Sequence, residues 1–171
     1  FTLPSIAMLI FTSIYSVVDG FFISNFAGKT PFAAINLIFP VIMILGTFGF
    51  MFGAGGTALV AKTYGEGDKD KANRYFSLFV YLAFFLGVLL AILGIIFTPK
   101  AAILLGATKE LLKDCVVYAR ILLIALPFFM LQIMFQSFFV AAEKPQLGLI
   151  VTVISGVTNM VLDAVLVLSF P

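Results

Sequence analysis

Residues 32–61 read FAAINLIFPVIMILGTFGFMFGAGGTALVA, thirty residues without a single charge. A helix crossing a bilayer needs about 20 consecutive apolar residues. This run is therefore a transmembrane span with length to spare for tilt or protrusion. Four further apolar runs flank it, and together they predict helices over about 4–27, 32–61, 75–97, 109–142 and 146–170. Backbone groups in lipid must satisfy one another within the segment, which makes such spans helical. A barrel requires strands of alternating polarity, and none is present. The fold class is all-α integral membrane.

The composition agrees. Of 171 residues, 63% are hydrophobic and 11% charged, against roughly 45–50% and about 25% in soluble domains. A soluble fold of this size would lack the polar surface to cover itself. There is one cysteine, Cys115, and neither histidine nor tryptophan. This excludes a disulfide framework, a histidine-based metal centre and Ser-His-Asp or Cys-His catalysis. No enzyme is expected. A net charge of +2 without a basic stripe gives no support to nucleic-acid binding. The chain opens and closes inside apolar sequence, with no charged region before the first run, so a signal peptide is not supported and a piece of a longer membrane protein is expected.

The connections are short and polar. Gly28–Pro31 is expected to end the first helix. Residues 62–74, KTYGEGDKDKANR, form the most polar stretch, with Gly65 and Gly67 as helix stops and Asp68 or Asp70 as the next cap. Thr98-Pro99-Lys100 is expected to close the third helix, and Glu143-Lys144-Pro145 to form a tight turn before the fifth. Lys62, Lys69, Lys71, Arg74 and Lys144 fall on one side, and Lys29, Lys100, Lys109 and Lys113 on the other. The 62–74 cluster favours a cytoplasmic N-terminus.

Two acids lie inside the apolar spans: Asp19 in the first and Asp163 in the fifth. A charge at the bilayer centre costs roughly 2.5–3.5 kcal/mol on insertion scales, so such residues mark cavities, partners or ion paths. The two spans run in the same direction. Each acid lies about 12–14 Å from the same end of its helix at 1.5 Å per residue, which predicts similar depth. Tyr15 precedes Asp19 by four residues. Asn159 precedes Asp163 by four, with Ser155 a turn earlier, so each set occupies one stripe. Oxygen ligands of this kind suit a hard cation such as Na⁺. They equally suit a proton, since desolvation and a nearby like charge both raise a carboxyl pKa. The structural alternative is a polar link between helices.

Gly46, Gly49, Gly53 and Gly56 recur at spacings of three and four, and Gly49–Gly53 matches the GxxxG pattern of close helix approach. Pro4, Pro40 and Pro127 lie in or near spans and permit bends. Gln132 and Gln136, four apart on the fourth helix, line a cavity or bond across helices. Arg120 is expected at the interface.

Several of these features together resemble one family. They are Pro4 and the Val-Asp-Gly around Asp19, the glycine-rich second helix ending in LVAKTYGEGDKDKA, the region of Tyr118, Pro127-Phe128, and Asn159-Met-Val-Leu-Asp163. The whole chain is similar to the multidrug and toxic compound extrusion (MATE) transporters. The resemblance implies twelve helices in two six-helix halves around a central cavity, with this chain supplying five of the six N-terminal ones as a partial lobe, residues 1–171. It further implies that Asp19, Asn159 and Asp163 bind a proton or Na⁺, that Tyr15 lies close by, and that Pro4 belongs to a bend of the first helix linked to that site. The expected function is a secondary antiporter of the plasma membrane, exporting organic, often cationic, compounds in exchange for H⁺ or Na⁺. It would have no cofactor beyond the coupling ion. Its partners would be small organic substrates, membrane lipid and the remaining helices. The competing readings are a flippase for lipid-linked sugars of related fold and a non-transporting membrane scaffold.

Overall fold

The computed structural model describes residues 2–22 and 29–169. They form five helices: α1 (Thr2–Phe22), α2 (Lys29–Gly65), α3 (Lys69–Leu104), α4 (Lys109–Ala141) and α5 (Pro145–Ser169). The described residues contain no strand. By length and composition, Phe32–Gly65, Lys69–Leu104 and Lys109–Ala141 are long and apolar enough to cross a membrane. The 37, 36 and 33 residues of α2, α3 and α4 correspond to about 50–55 Å at 1.5 Å per residue, well beyond the ~30 Å hydrocarbon core. Their ends therefore stand in the headgroup region or in water.

Local chemistry sets the helix ends. Gly67 adopts φ +89°, a left-handed turn that glycine enters without a Cβ clash. Asp68 caps α3, its side chain accepting from the Lys71 N–H at 3.0 Å. Thr108 caps α4 through the Leu111 N–H. Pro145 opens α5 at the first helical position, where its missing N–H is harmless. Several boundaries differ from the sequence reading: α2 runs on to Gly65 and α3 starts at Lys69, so most of the polar stretch 62–74 is helical. Lys29–Pro31 form the first turn of α2 rather than a loop. Pro99 does not close α3, which continues to Leu104.

The helices associate around α4. Its interface with α2 is the most extensive, followed by that with α3, then the pairing of α1 with α5, with the α2–α3 interface close behind; the α4–α5 interface is smallest of these. Leu126, Met130, Met134 and Cys115 of α4 are the largest fully buried side chains. Ala34, Ile38 and Ile42 of α2 and Ala102 of α3 join Cys115, Leu126 and Met130 in one core cluster. Phe76 and Phe138 stack edge to face with centroids 5.0 Å apart.

Glycine makes this packing possible. A Cβ at Gly49 would lie 2.6 Å from the Met130 carbonyl oxygen, and one at Gly53 would lie 2.7 Å from the Ser137 hydroxyl. On the other side of α4, a Cβ at Gly87 would lie 2.7 Å from the Pro127 Cα. Within the α2 stripe, Gly49 and Gly53 thus serve backbone approach, while Gly46 and Gly56 make room for the rings of Phe129 and Phe79. Much of the remaining apolar surface, such as Leu9, Phe50, Phe85, Ile124 and Phe128, is exposed in the isolated chain.

A direct check contrasts two glycines of α2. Gly49→Ala must push α4 away and should lower stability by about 1–3 kcal/mol, the usual cost of overpacking. Gly55→Ala, with nothing within 4 Å of its Cβ position, should be neutral or mildly stabilising. Thermal melting of the purified protein distinguishes them.

Candidate functional site

The two helices that carry the intramembrane acids pack on each other. A Cβ at Gly156 of α5 would lie 2.6 Å from Phe11 Cε1 and 3.0 Å from Tyr15 Cδ1 of α1. Gly156 is therefore the notch into which the two α1 rings fit, themselves 6.4 Å apart and tilted by 52°.

This packing sets the register of the acidic turns. The connection between α1 and α2, residues 23–28, reaches at most about 21 Å extended, too short to recross a ~30 Å bilayer core. The later connections are shorter still. Successive spans alternate, and α1 and α5 run parallel. Position 163 lies seven residues beyond Gly156, which is about 10.5 Å along the axis and within about 20° of the same direction around it. Position 19 lies four residues beyond Tyr15 and eight beyond Phe11, about 6 and 12 Å. With Gly156 seated between the two rings, the acidic positions come level to within a few Å. Asp19 and Asp163 have their backbones in α1 and α5; their side chains, and that of Pro4, lie outside the described residues.

Asn159 is half-buried on α5, one turn before Asp163, and Tyr15 is half-buried on α1. Ser155, expected on the same stripe, is exposed. The buried edge of that face instead carries Gly156 and Thr152, the latter 4% exposed. Thr158 turns its hydroxyl back to the Ile154 carbonyl at 2.7 Å. Neither Thr152 nor Gly156 stands out in the sequence. The one signal that points to them is spacing: residues 152, 156, 159 and 163 follow one another at intervals of three and four.

Gln136 lies elsewhere. With Gln132, Phe128, Phe135 and Phe139 of α4 and Gly148 of α5, it lines a cavity of about 260 Å³ between those helices, with apolar walls. Tyr15, the other cavity-lining candidate of the sequence, packs at the α1–α5 interface.

Five apolar helices joined by short connections, three of them long enough to span by themselves, define a multi-pass helical membrane protein. The sequence profile of the MatE family matches residues 4–165, and the chain belongs to that family. It is 29% identical, over 98% of its length, to the multidrug export protein MepA of Staphylococcus haemolyticus, and 27% identical over 99% to MepA of Staphylococcus aureus. It spans 37% and 38% of those relatives, respectively. These relatives are transporters, not enzymes. Two solved structures share the fold. A MATE protein in complex with MaD3S superimposes with a TM-score of 0.88 at 23% identity, over 95% of this chain and 36% of that one. A MOP superfamily transporter from Pyrococcus furiosus, described as having a binding pocket of reversed polarity suggesting a different function, gives 0.85 at 24% identity, over 96% and 36%.

The notch makes a testable demand. Gly156→Val should separate α1 from α5 and raise amide hydrogen exchange across Leu9–Phe22, while exchange in the α2–α3–α4 core stays unchanged. Equal protection in both segments would contradict the assigned register.

Proposed function

We propose that this chain forms part of a cation-coupled exporter of organic compounds in the plasma membrane, with its N-terminus in the cytoplasm. Asp19, Asn159 and Asp163 bind the coupling H⁺ or Na⁺. The observation that supports this most directly is the seating of Phe11 and Tyr15 on Gly156, which brings the acid-bearing turns of α1 and α5 to one depth. Two carboxylates at one depth in a medium of low polarity repel each other and are poorly solvated. A proton or a cation between them offsets both penalties. The Asn159 amide supplies an oxygen ligand to a cation or a donor to a carboxylate. Tyr15 closes the side of the site toward Gly156.

Binding and release of the cation thereby alter how tightly α1 holds to α5. Pro4, in the first turn of α1, takes the role that the family resemblance implies for it, a bend of that helix linked to the ion site. The apolar cavity beside Gln132 and Gln136 is suited to part of an aromatic organic substrate, and the multidrug export proteins among the relatives support that substrate class. The cations Lys62, Lys69, Lys71 and Arg74, on the helix ends that flank the α2–α3 connection, support the orientation.

The decisive measurement is cation-driven dye efflux by the full-length protein in proteoliposomes, with an imposed H⁺ or Na⁺ gradient. Asp19→Asn and Asp163→Asn should each reduce efflux to near background while the protein still inserts and melts cooperatively. Asn159→Ala should retain part of the activity. Wild-type efflux in both aspartate variants would overturn the assignment, and the gradient that drives the wild type identifies the ion.

A further inference from the structure

Near the start of α3, on the side turned away from α2 and α4, Asn73, Arg74, Ser77, Leu78 and Tyr81 line a shallow groove of about 410 Å³. All five are exposed. They follow at helical spacing, so the groove runs along the helix axis from a polar end to an apolar one. Three other cations around the α2–α3 connection have partners. Lys62 pairs with Glu66 at 3.9 Å. Lys69 lies 5.7 Å over the Tyr64 ring, and Lys71 lies 5.9 Å over that of Tyr75. Among the described residues, no carboxylate lies within 4.0 Å of the Arg74 guanidinium, including that of Asp70 one turn earlier.

The depth of Arg74 follows from its own helix. Residues 75–99 contain no charge, and the next cation on α3 is Lys100. The 26 steps from Arg74 to Lys100 span about 39 Å, against a hydrocarbon core of ~30 Å. Centring the uncharged stretch leaves each cation about 4–5 Å outside the hydrocarbon, at the level of lipid phosphates. From Arg74, Ser77 lies about 4.5 Å deeper, Leu78 about 6 Å and Tyr81 about 10.5 Å. That order matches a phospholipid read downward: phosphate, ester region, acyl chain.

We propose that this groove seats one anionic phospholipid, its phosphate held by Arg74, Asn73 and Ser77 and an acyl chain laid over Leu78 and Tyr81. The guanidinium, amide and hydroxyl supply donors for phosphate oxygens, with the guanidinium able to engage two at once. No acid is among the residues lining the groove, and Asp70, one turn nearer water, stands between Lys69 and Lys71 in sequence, so positive charge prevails where the headgroup would sit. Charge complementarity selects a headgroup of net negative charge. The site is independent of the ion site: it lies on another helix and shares no residue with it.

The test uses the full-length protein, stripped of lipid in detergent and titrated separately with phosphatidylglycerol, phosphatidylethanolamine and phosphatidylcholine, with bound lipid counted by native mass spectrometry. Phosphatidylglycerol should bind about tenfold or more tightly than the two zwitterionic lipids: all three offer the phosphate, but the ammonium of the latter two meets the Arg74 charge unfavourably. Arg74→Gln should abolish that preference, and Arg74→Lys, which keeps the charge but not the fork, should retain part of it. Because Arg74 is exposed, the lipid-free melting temperature of both variants should equal that of wild type, which separates lost lipid from lost folding. Equal binding of the three lipids by the wild type, or an undiminished preference in Arg74→Gln, would overturn the proposal.

Discussion

The approach of α2 and α3 to α4 at glycine is the interaction on which the rest of the molecule depends. Between helices in lipid the hydrophobic effect provides little drive, because an acyl chain is as apolar as leucine; association comes from close packing. Here α4 carries the bulk, with Leu126, Met130 and Met134 wholly buried. Its neighbours carry the space, with Gly49 and Gly53 on α2 and Gly87 on α3. The arrangement fixes α4 as the central column. The position of α5 follows, since it leaves α4 through a turn of three residues. α1 is attached in turn through Gly156, again a glycine that makes room, here for two aromatic rings.

The spans are legible in the sequence because charge is so costly in lipid that its absence over 32–61 admits one reading. The stripe from Gly46 to Gly56 is legible for a related reason: small residues at helical spacing matter chiefly where helices touch. Helix ends are not legible from apolarity. A helix stops where its backbone hydrogen bonding stops, and that need not coincide with the membrane boundary. Residues 69–74 are charged yet helical, because helix α3 begins in water. Pro99 sits within α3 near its end, where losing its own N–H bond to Ile95 is tolerated, and the Thr98 hydroxyl donates to the Gly94 carbonyl at 2.6 Å.

The candidate site is legible in its acids and less so in its framework. Asp19 and Asp163 stand out as charges in the wrong solvent, and Asn159 and Tyr15 follow from a spacing of four. That α1 pairs with α5, rather than with its sequence neighbour α2, is not written in either segment alone. It depends on which face of α5 accepts aromatic rings. Gly156 is marked within its apolar run only by its spacing of three or four from Thr152 and Asn159. Polarity and an interval of four point to Ser155, but the geometry prefers the neighbouring residue that has no side chain.

The division of the bundle bears on the proposed mechanism. α2, α3 and α4 share extensive interfaces, whereas the pair α1–α5 meets the rest of the described chain mainly through the smallest one, α4–α5. A coupled transporter needs an element with two arrangements of similar free energy, biased by whether the ion is bound. A rigid unit of three helices cannot provide it at low cost, because displacing α4 would empty the glycine notches on both of its sides. The α1–α5 pair can shift while disturbing far less packing, and the Gly156 notch keeps positions 19 and 163 in register as it does so. The cavity beside Gln132 and Gln136 lies at the α4–α5 boundary. In the proposed cycle, occupancy of the acids is therefore felt by the substrate as a change in the walls of that cavity, across the smallest of these interfaces.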